Sequence, residues 1–248
     1  MKLLILPNQP TLAKKAAQLF SQSVEEAIKI RGVAVVALAG GGTPQTMHRL
    51  LTEEPFRSQI DWSKVHIFLS DERFVPYEGE DNNYRIIYEY FLSKVPLPIE
   101  NLHPYITKHS TPENAARIYT ADIQELLGNN EPKFDLIFLG IGPDGHTASL
   151  FPALYKPHND EDLILVITES PKPPSIRLSF SLKLINTARH VVIMASGKEK
   201  APIIKEILEN REVHKNLPVA MIQPENGELF WLLDKDAASL LTTDQISS

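Results

Sequence analysis

The sequence predicts an α/β fold built on a mainly parallel sheet. Three observations carry this. Short apolar runs alternate with helical patterns along the whole chain. Several of these runs are bulky and continuous, as in strands buried on both faces. Two of them end directly in glycine clusters, the punctuation expected where a parallel strand turns into a loop and then a helix. Together they point to a Rossmann-like arrangement with helices on both faces of the sheet.

The strands are expected at Lys2 to Leu6, Val33 to Ala39, Val65 to Ser70, Leu136 to Leu139, Leu163 to Thr168, Ile176 to Phe180, Val191 to Ala195 and Leu229 to Leu233. A helix over Thr11 to Ile30 follows from the apolar stripe Ala13, Ala16, Ala17, Phe20, Val24, Ala27 and Ile28. Thr43 is expected to cap a helix that opens on Pro44 and runs through Gln45 to Leu51. Thr111 and Pro112 repeat that pattern ahead of a helix ending near Gly128, and a last helix is expected over Glu199 to Glu209. Pro96 to Pro104 and Pro171 to Pro174 read as connections. There is no internal repeat, low-complexity tract or linker, so residues 1–248 are expected to form one domain.

Composition excludes several classes. The 248 residues are 43% hydrophobic and 23% charged, ordinary for a globular chain. A net charge of −6 argues against general binding to nucleic acid or an anionic membrane. With no cysteine, the chain has no disulfide, thiolate metal site or cysteine nucleophile. Met1 to Leu6 is too short for a signal-peptide core and Pro7 breaks it, and no apolar stretch approaches the ~20 residues of a membrane span. A cytoplasmic protein, monomer or small homo-oligomer, is expected. The histidines show no metal-ligand spacing, so neither a metal nor a cofactor is expected. His48 and His66 read as packing or surface residues. Asp160 to Asp162 and Asp234 to Asp236 read as solvated turns, and 242–248 as a frayed end.

Three strand ends carry the candidate chemistry. After Val33 to Ala39 comes Gly40-Gly41-Gly42-Thr43, whose uncovered N–H groups at a helix start suit a phosphate. It is no P-loop, because the Lys-Ser or Lys-Thr of that motif is missing. After Val65 to Ser70 come Asp71, Glu72 and Arg73, followed by Asp81 to Arg85. After Leu136 to Leu139 comes Gly140-Ile-Gly-Pro-Asp-Gly-His146, which places Asp144 and His146 where open α/β sheets bind ligands. Gly140, Gly142 and Gly145 also match the dinucleotide pattern G-x-G-x-x-G. Pro152, only seven residues beyond Gly145, leaves at most about two turns of helix there and argues against a dinucleotide.

Ala37 to Gln45, Ser70 to Arg73 with Asn83-Tyr84, and Gly140 to Pro152 resemble the three signature blocks of the 6-phosphogluconolactonase family, in the family's order and spacing. Pro173 to Leu178 and Gly197 to Ala201 resemble it too, so the likeness spans nearly the whole chain. The resemblance implies hydrolysis of a phosphorylated sugar lactone. His146 would then be the general base, Asp144 its hydrogen-bond partner, and Arg73 a stabiliser of the oxyanion or of substrate hydroxyls. Asp71 would hold Arg73 or a sugar hydroxyl. For the phosphate it adds Lys200 and Arg177 to the loop Gly40, Gly41, Gly42 and Thr43, with Lys198 competing with Lys200 on sequence alone. Ser149 lacks the G-x-S-x-G setting of a nucleophile.

Two other readings stay open. Glucosamine-6-phosphate deaminases share the glycine loop and the Asp-Gly-His turn, but their third block carries a relay glutamate where this chain has Phe151, and their second block usually reads Asp-Glu-Tyr. A phenyl ring neither carries a proton nor accepts a hydrogen bond in such a relay. The other reading is a non-catalytic sugar-phosphate sensor, which has no need of an Asp-x-His pair.

Overall fold

The computed structural model describes residues 1–128, 131–154, 162–210 and 216–242. His158, His214, Asp160, Glu161 and 243–248 lie outside them. Nine strands are described: β1 Lys2–Leu6, β2 Ala34–Leu38, β3 Val65–Leu69, β4 Asp71–Arg73, β5 Leu136–Gly140, β6 Ile164–Ile167, β7 Arg177–Phe180, β8 His190–Ala195 and β9 Glu228–Asp234. The helices are α1 Gln9–Arg31, α2 Gly42–Leu51, α3 Phe56–Gln59, α4 Asn83–Tyr90, α5 Pro112–Leu127, α6 Leu182–Asn186 and α7 Ala201–Glu209. None is long and apolar enough to cross a membrane.

Six strands form one parallel sheet in the order β1-β9-β8-β5-β2-β3. Strand β2 is buried at all five residues, so both faces of the sheet are covered. Ala37 lies beside both Phe68 and Ile137 in the register, which puts Phe68 and Phe138 on opposite faces. Phe138 stacks on Phe20 of α1. Phe68 meets Tyr119 of α5, whose hydroxyl accepts from Leu69 N–H at 2.7 Å. Helices therefore pack on both faces, as expected.

The local signals explain the helix ends. Asn8 caps α1 by accepting from Thr11 N–H, and Gly32 closes it in the left-handed conformation at φ 85°. Thr111 caps α5 as expected, accepting from Asn114 N–H.

Three expectations need correction. Two apolar runs, β6 and β7, do not join the parallel sheet but form a separate antiparallel sheet of order β4-β7-β6, in which β7 pairs with both β4 and β6. Asp71 to Arg73 is thus a strand and not a loose charged end, because β7 supplies its hydrogen bonds. Second, α2 begins at Gly42 with Gly41 as its cap, so Thr43 and Pro44 are the second and third helical residues. Thr43 Oγ1 faces Ser196 Oγ at 3.2 Å and does not cap. Third, Lys198 to Lys200 form a 3₁₀ turn ahead of α7, which starts at Ala201.

Topology locates the crevice. Adjacent strands β2 and β5 lead the chain in opposite directions, β2 toward β3 and β5 toward β8 and β9. Loops at such a divergence splay apart and leave a cleft beyond the carboxyl ends of the strands. The loops in question carry Gly40 to Gly42 and Gly140 to His146.

Candidate active site

The cleft has a volume of about 410 Å³ and brings together residues from six strand ends and loops. Gly40, Gly41, Gly42 and Thr43 line it from the start of α2, Asp71 and Arg73 from β4, and His146 from the loop after β5. Arg177 of β7 and Lys200, ahead of α7, complete the expected set, whereas Lys198 is not among the lining residues. Asp144 is the one expected residue outside the lining. It stands behind His146, with Oδ1 in very close contact with His146 Nδ1.

That contact sets the chemistry of the imidazole. A carboxylate against Nδ1 holds the proton there, which leaves Nε2 as the basic nitrogen. Burial pulls the His146 pKa below its ordinary value, and Asp144 opposes the shift. The ring is therefore neutral, and able to accept a proton, near pH 7. Its seat is made by Gly142, where any Cβ would overlap His146 Nδ1 and Cε1 and the Asp144 carboxylate. Bonds from Gly142 N–H to His146 O at 2.8 Å and from Gly145 N–H to Gly142 O at 3.0 Å close the turn. Gly145 takes φ 81°, and Ala148 takes φ 47°, a left-handed conformation that a residue with a Cβ adopts at some cost. The other side of the imidazole meets Phe151, which is 2% exposed, with ring centroids 4.8 Å apart.

The second block divides its labour between two faces of β4. Alternation sends Asp71 and Arg73 to the cleft and Glu72 into the protein. Glu72 is fully buried and accepts from the N–H groups of Arg73, Asn83 and Tyr84 at 2.8, 2.7 and 2.8 Å. It thus anchors the start of α4, and burial pushes its pKa up to about 7. Asn82 is the cap of α4, accepting from Arg85 N–H. Gly40 has to be bare because a Cβ there would come 2.5 Å from Asn83 Oδ1.

The roles expected for Asp71 and Arg177 change in detail. Asp71 Oδ2 accepts from the buried Ser149 Oγ at 2.7 Å, while Arg73 Nη1 donates to Asp81 O at 2.8 Å. Ser149 is thus a hydrogen-bond donor that positions Asp71. Arg177 bonds the backbone carbonyls of Lys172, Pro173 and Pro174 through Nε and Nη2. It organises that segment as well as lining the cleft, and it lies 5.8 Å from the Phe151 ring centroid.

Sequence reasoning overlooked Lys172. Its ammonium lies 3.3 Å from His146 Nδ1 and 3.9 Å from Asp144 Oδ1, and it lines the cleft. Its position inside Pro171 to Pro174, read as a connection, hid it. The lining then carries four cations, Arg73, Lys172, Arg177 and Lys200, against the Asp71 carboxylate. Arg73 and Arg177 face each other directly across β4 and β7. Like charges so placed repel unless an anion sits between them. A chain of net charge −6 has thus gathered a local cationic pocket.

Known proteins resemble this chain over most of its length. The probable 6-phosphogluconolactonase 2 of Oryza sativa subsp. indica is 39% identical over 97% of this chain and 90% of its own length. The chloroplastic 6-phosphogluconolactonase 3 of Arabidopsis thaliana is 37% identical over 93% of this chain and 71% of its own. The solved 6-phosphogluconolactonase of Trypanosoma brucei superposes with a TM-score of 0.85 at 27% identity, covering 97% of this chain and 98% of that one. The family model described as glucosamine-6-phosphate isomerases/6-phosphogluconolactonase matches residues 7–231 and so spans all three glycine and charged blocks. By the family match over residues 7–231 and by these relatives, this chain belongs to the glucosamine-6-phosphate isomerase/6-phosphogluconolactonase family.

Proposed function

We propose that the chain is a 6-phosphogluconolactonase that hydrolyses 6-phospho-D-glucono-1,5-lactone to 6-phospho-D-gluconate, with His146 as general base. One observation carries the reading above all: an imidazole whose Nδ1 is held by Asp144, in a cationic cleft. The curated relatives named above bear the same activity in their names.

The residues supply each step. His146 Nε2 takes a proton from water as its oxygen bonds to the lactone C1. Cationic Arg73 balances charge growing on the carbonyl oxygen. When the intermediate collapses, the bond from C1 to the ring oxygen breaks and His146 returns its proton to that oxygen. The new carboxylic acid then ionises to solvent. Asp71, fixed by Ser149, orients a sugar hydroxyl. The N–H groups of Gly42 and Thr43 at the start of α2, with Lys200 and Arg177, hold a phosphate carrying about −1.5 to −2.

The deaminase reading loses ground at Phe151, whose buried ring packs on His146 in the place of a relay carboxylate. The decisive experiment supplies fresh 6-phosphogluconolactone and, separately, glucosamine 6-phosphate. Acid release from the first above the uncatalysed rate, with no ammonia from the second, is expected. Ammonia release, or no acceleration with the lactone, refutes the proposal.

A further inference from the structure

We propose that Lys172 is a positioning residue whose ammonium group sets the charge state of the Asp144–His146 pair. The inference rests on the lactonase reading for its catalytic purpose and on geometry for its substance. Lys172 Nζ reaches both members of the pair, at 3.3 Å from His146 Nδ1 and 3.9 Å from Asp144 Oδ1. Nδ1 cannot donate to Asp144 and also accept from Lys172. The closer carboxylate claims the proton, and Lys172 acts on the pair as a fixed charge.

The loop that carries Lys172 is built to hold it. Ser170 Oγ accepts from Lys172 N–H at 3.2 Å and donates to Lys172 O at 2.9 Å. Lys172 O also accepts from Arg177 Nη2 at 3.0 Å, and Ser170 N–H donates to Ser175 O at 2.9 Å across the base of the loop. Pro171, Pro173 and Pro174 restrict the backbone on both sides. These bonds fix the backbone at Lys172, from which its partly exposed side chain reaches the pair. The same arrangement explains why Arg177 spends two of its nitrogens on the carbonyls of this segment.

The charge has a direction of effect. The charged groups acting on His146 are Asp144 on its own loop, Lys172 and Asp71 of β4, and Arg73, Arg177 and Lys200 line the same cleft. Asp144 and Asp71 favour the imidazolium, whereas Lys172 disfavours it. Lys172 thus offsets the carboxylate that orients the ring, so that His146 gains a fixed tautomer without becoming protonated at working pH. It also makes the imidazolium a stronger acid when the proton returns to the leaving oxygen.

The test follows the His146 imidazole directly by NMR titration, its resonance assigned from its loss in His146→Gln, alongside the pH profile of kcat/KM. Lys172→Met should raise the His146 pKa by about half to one unit, the effect of a partly solvated charge 3.3 Å from Nδ1. The acid limb of kcat/KM should move up by the same amount, and Lys172→Arg should restore both. An unchanged titration in Lys172→Met overturns the proposal and leaves the lactonase reading intact. So does a change confined to KM, which would make Lys172 a substrate contact. Absence of lactone hydrolysis in the wild-type chain overturns the catalytic purpose, whatever the titration shows.

Discussion

Gly142 gives the sharpest test of how the imidazole is held. Its φ lies outside the left-handed region, so Gly142→Ala brings no backbone strain, and the only new atom is one methyl carbon. That carbon would fall on His146 Nδ1 and Cε1 and on the Asp144 carboxylate, far inside the 3.0 Å that real Cβ contacts essentially never breach. The ring has to retreat by about 1 Å or more, and a displacement of that size costs on the order of 10²-fold in rate. Complete loss of the base sets the upper limit at ~10²–10⁴-fold. Turnover of 6-phosphogluconolactone, followed by acid release above the uncatalysed rate, should therefore fall in kcat by ~10²–10⁴-fold. KM should stay within about threefold, because none of the groups proposed to hold the phosphate is changed. His146→Ala should match this loss, and the double variant should be no worse than the poorer single one, since both remove the same group's contribution. A Gly142→Ala enzyme with kcat within about threefold of wild type would show that the ring is not seated against Gly142.

Other measurements address other parts of the cleft. Lys200→Ala should raise KM about tenfold to a hundredfold with little change in kcat, since a phosphate clamp binds ground and transition states alike and a charge-assisted bond is worth ~1.5–3 kcal/mol; equal damage towards unphosphorylated gluconolactone would remove Lys200 from the phosphate site. Ser149→Ala should lower kcat about tenfold by releasing Asp71, with one donor lost at ~1 kcal/mol or somewhat more; an unaltered kcat would deny Asp71 its role. Glu72 has a pKa near 7 in the folded chain against 4.5 for the free side chain, so the folded state binds the extra proton. Its contribution to stability is full below pH 4.5 and is lost as pH rises through about 7. Glu72→Gln should accordingly flatten the fall in Tm across that window, and an identical slope in the variant would count against the assignment.

What the sequence revealed and what it concealed separate along physical lines. Strands β2, β3, β5, β8 and β9 were legible within a residue or two because burial on both faces demands continuous apolar runs, and the half-buried edge strand β1 is apolar too. The second sheet was not, since Asp71-Glu72-Arg73 has no apolar character and becomes a strand only through its partner β7. The helix α4 was hidden for a related reason. Its start depends on Glu72, eleven residues upstream, as much as on its own Asn82 cap. In the cleft, residues at strand ends and glycine turns were legible, because position along the chain and position in space coincide there. Lys172 and Ser149 were not, because each matters through a side chain brought from a distant segment.

The three residues of β4 also limit how this gene product can vary. Two of its side chains belong to the cleft and the middle one to the interior, and that division depends on a two-residue alternation. Deleting one residue after Ser70 would turn the Glu72 carboxylate into the cationic pocket and force a guanidinium into the place of Glu72, and adding one would bury Asp71 there instead. Single substitutions here can be graded in their effects, but a change of length cannot. Descendants of this sequence can therefore lengthen or shorten the loop between Arg73 and Asn82 far more freely than the segment between Leu69 and Arg73.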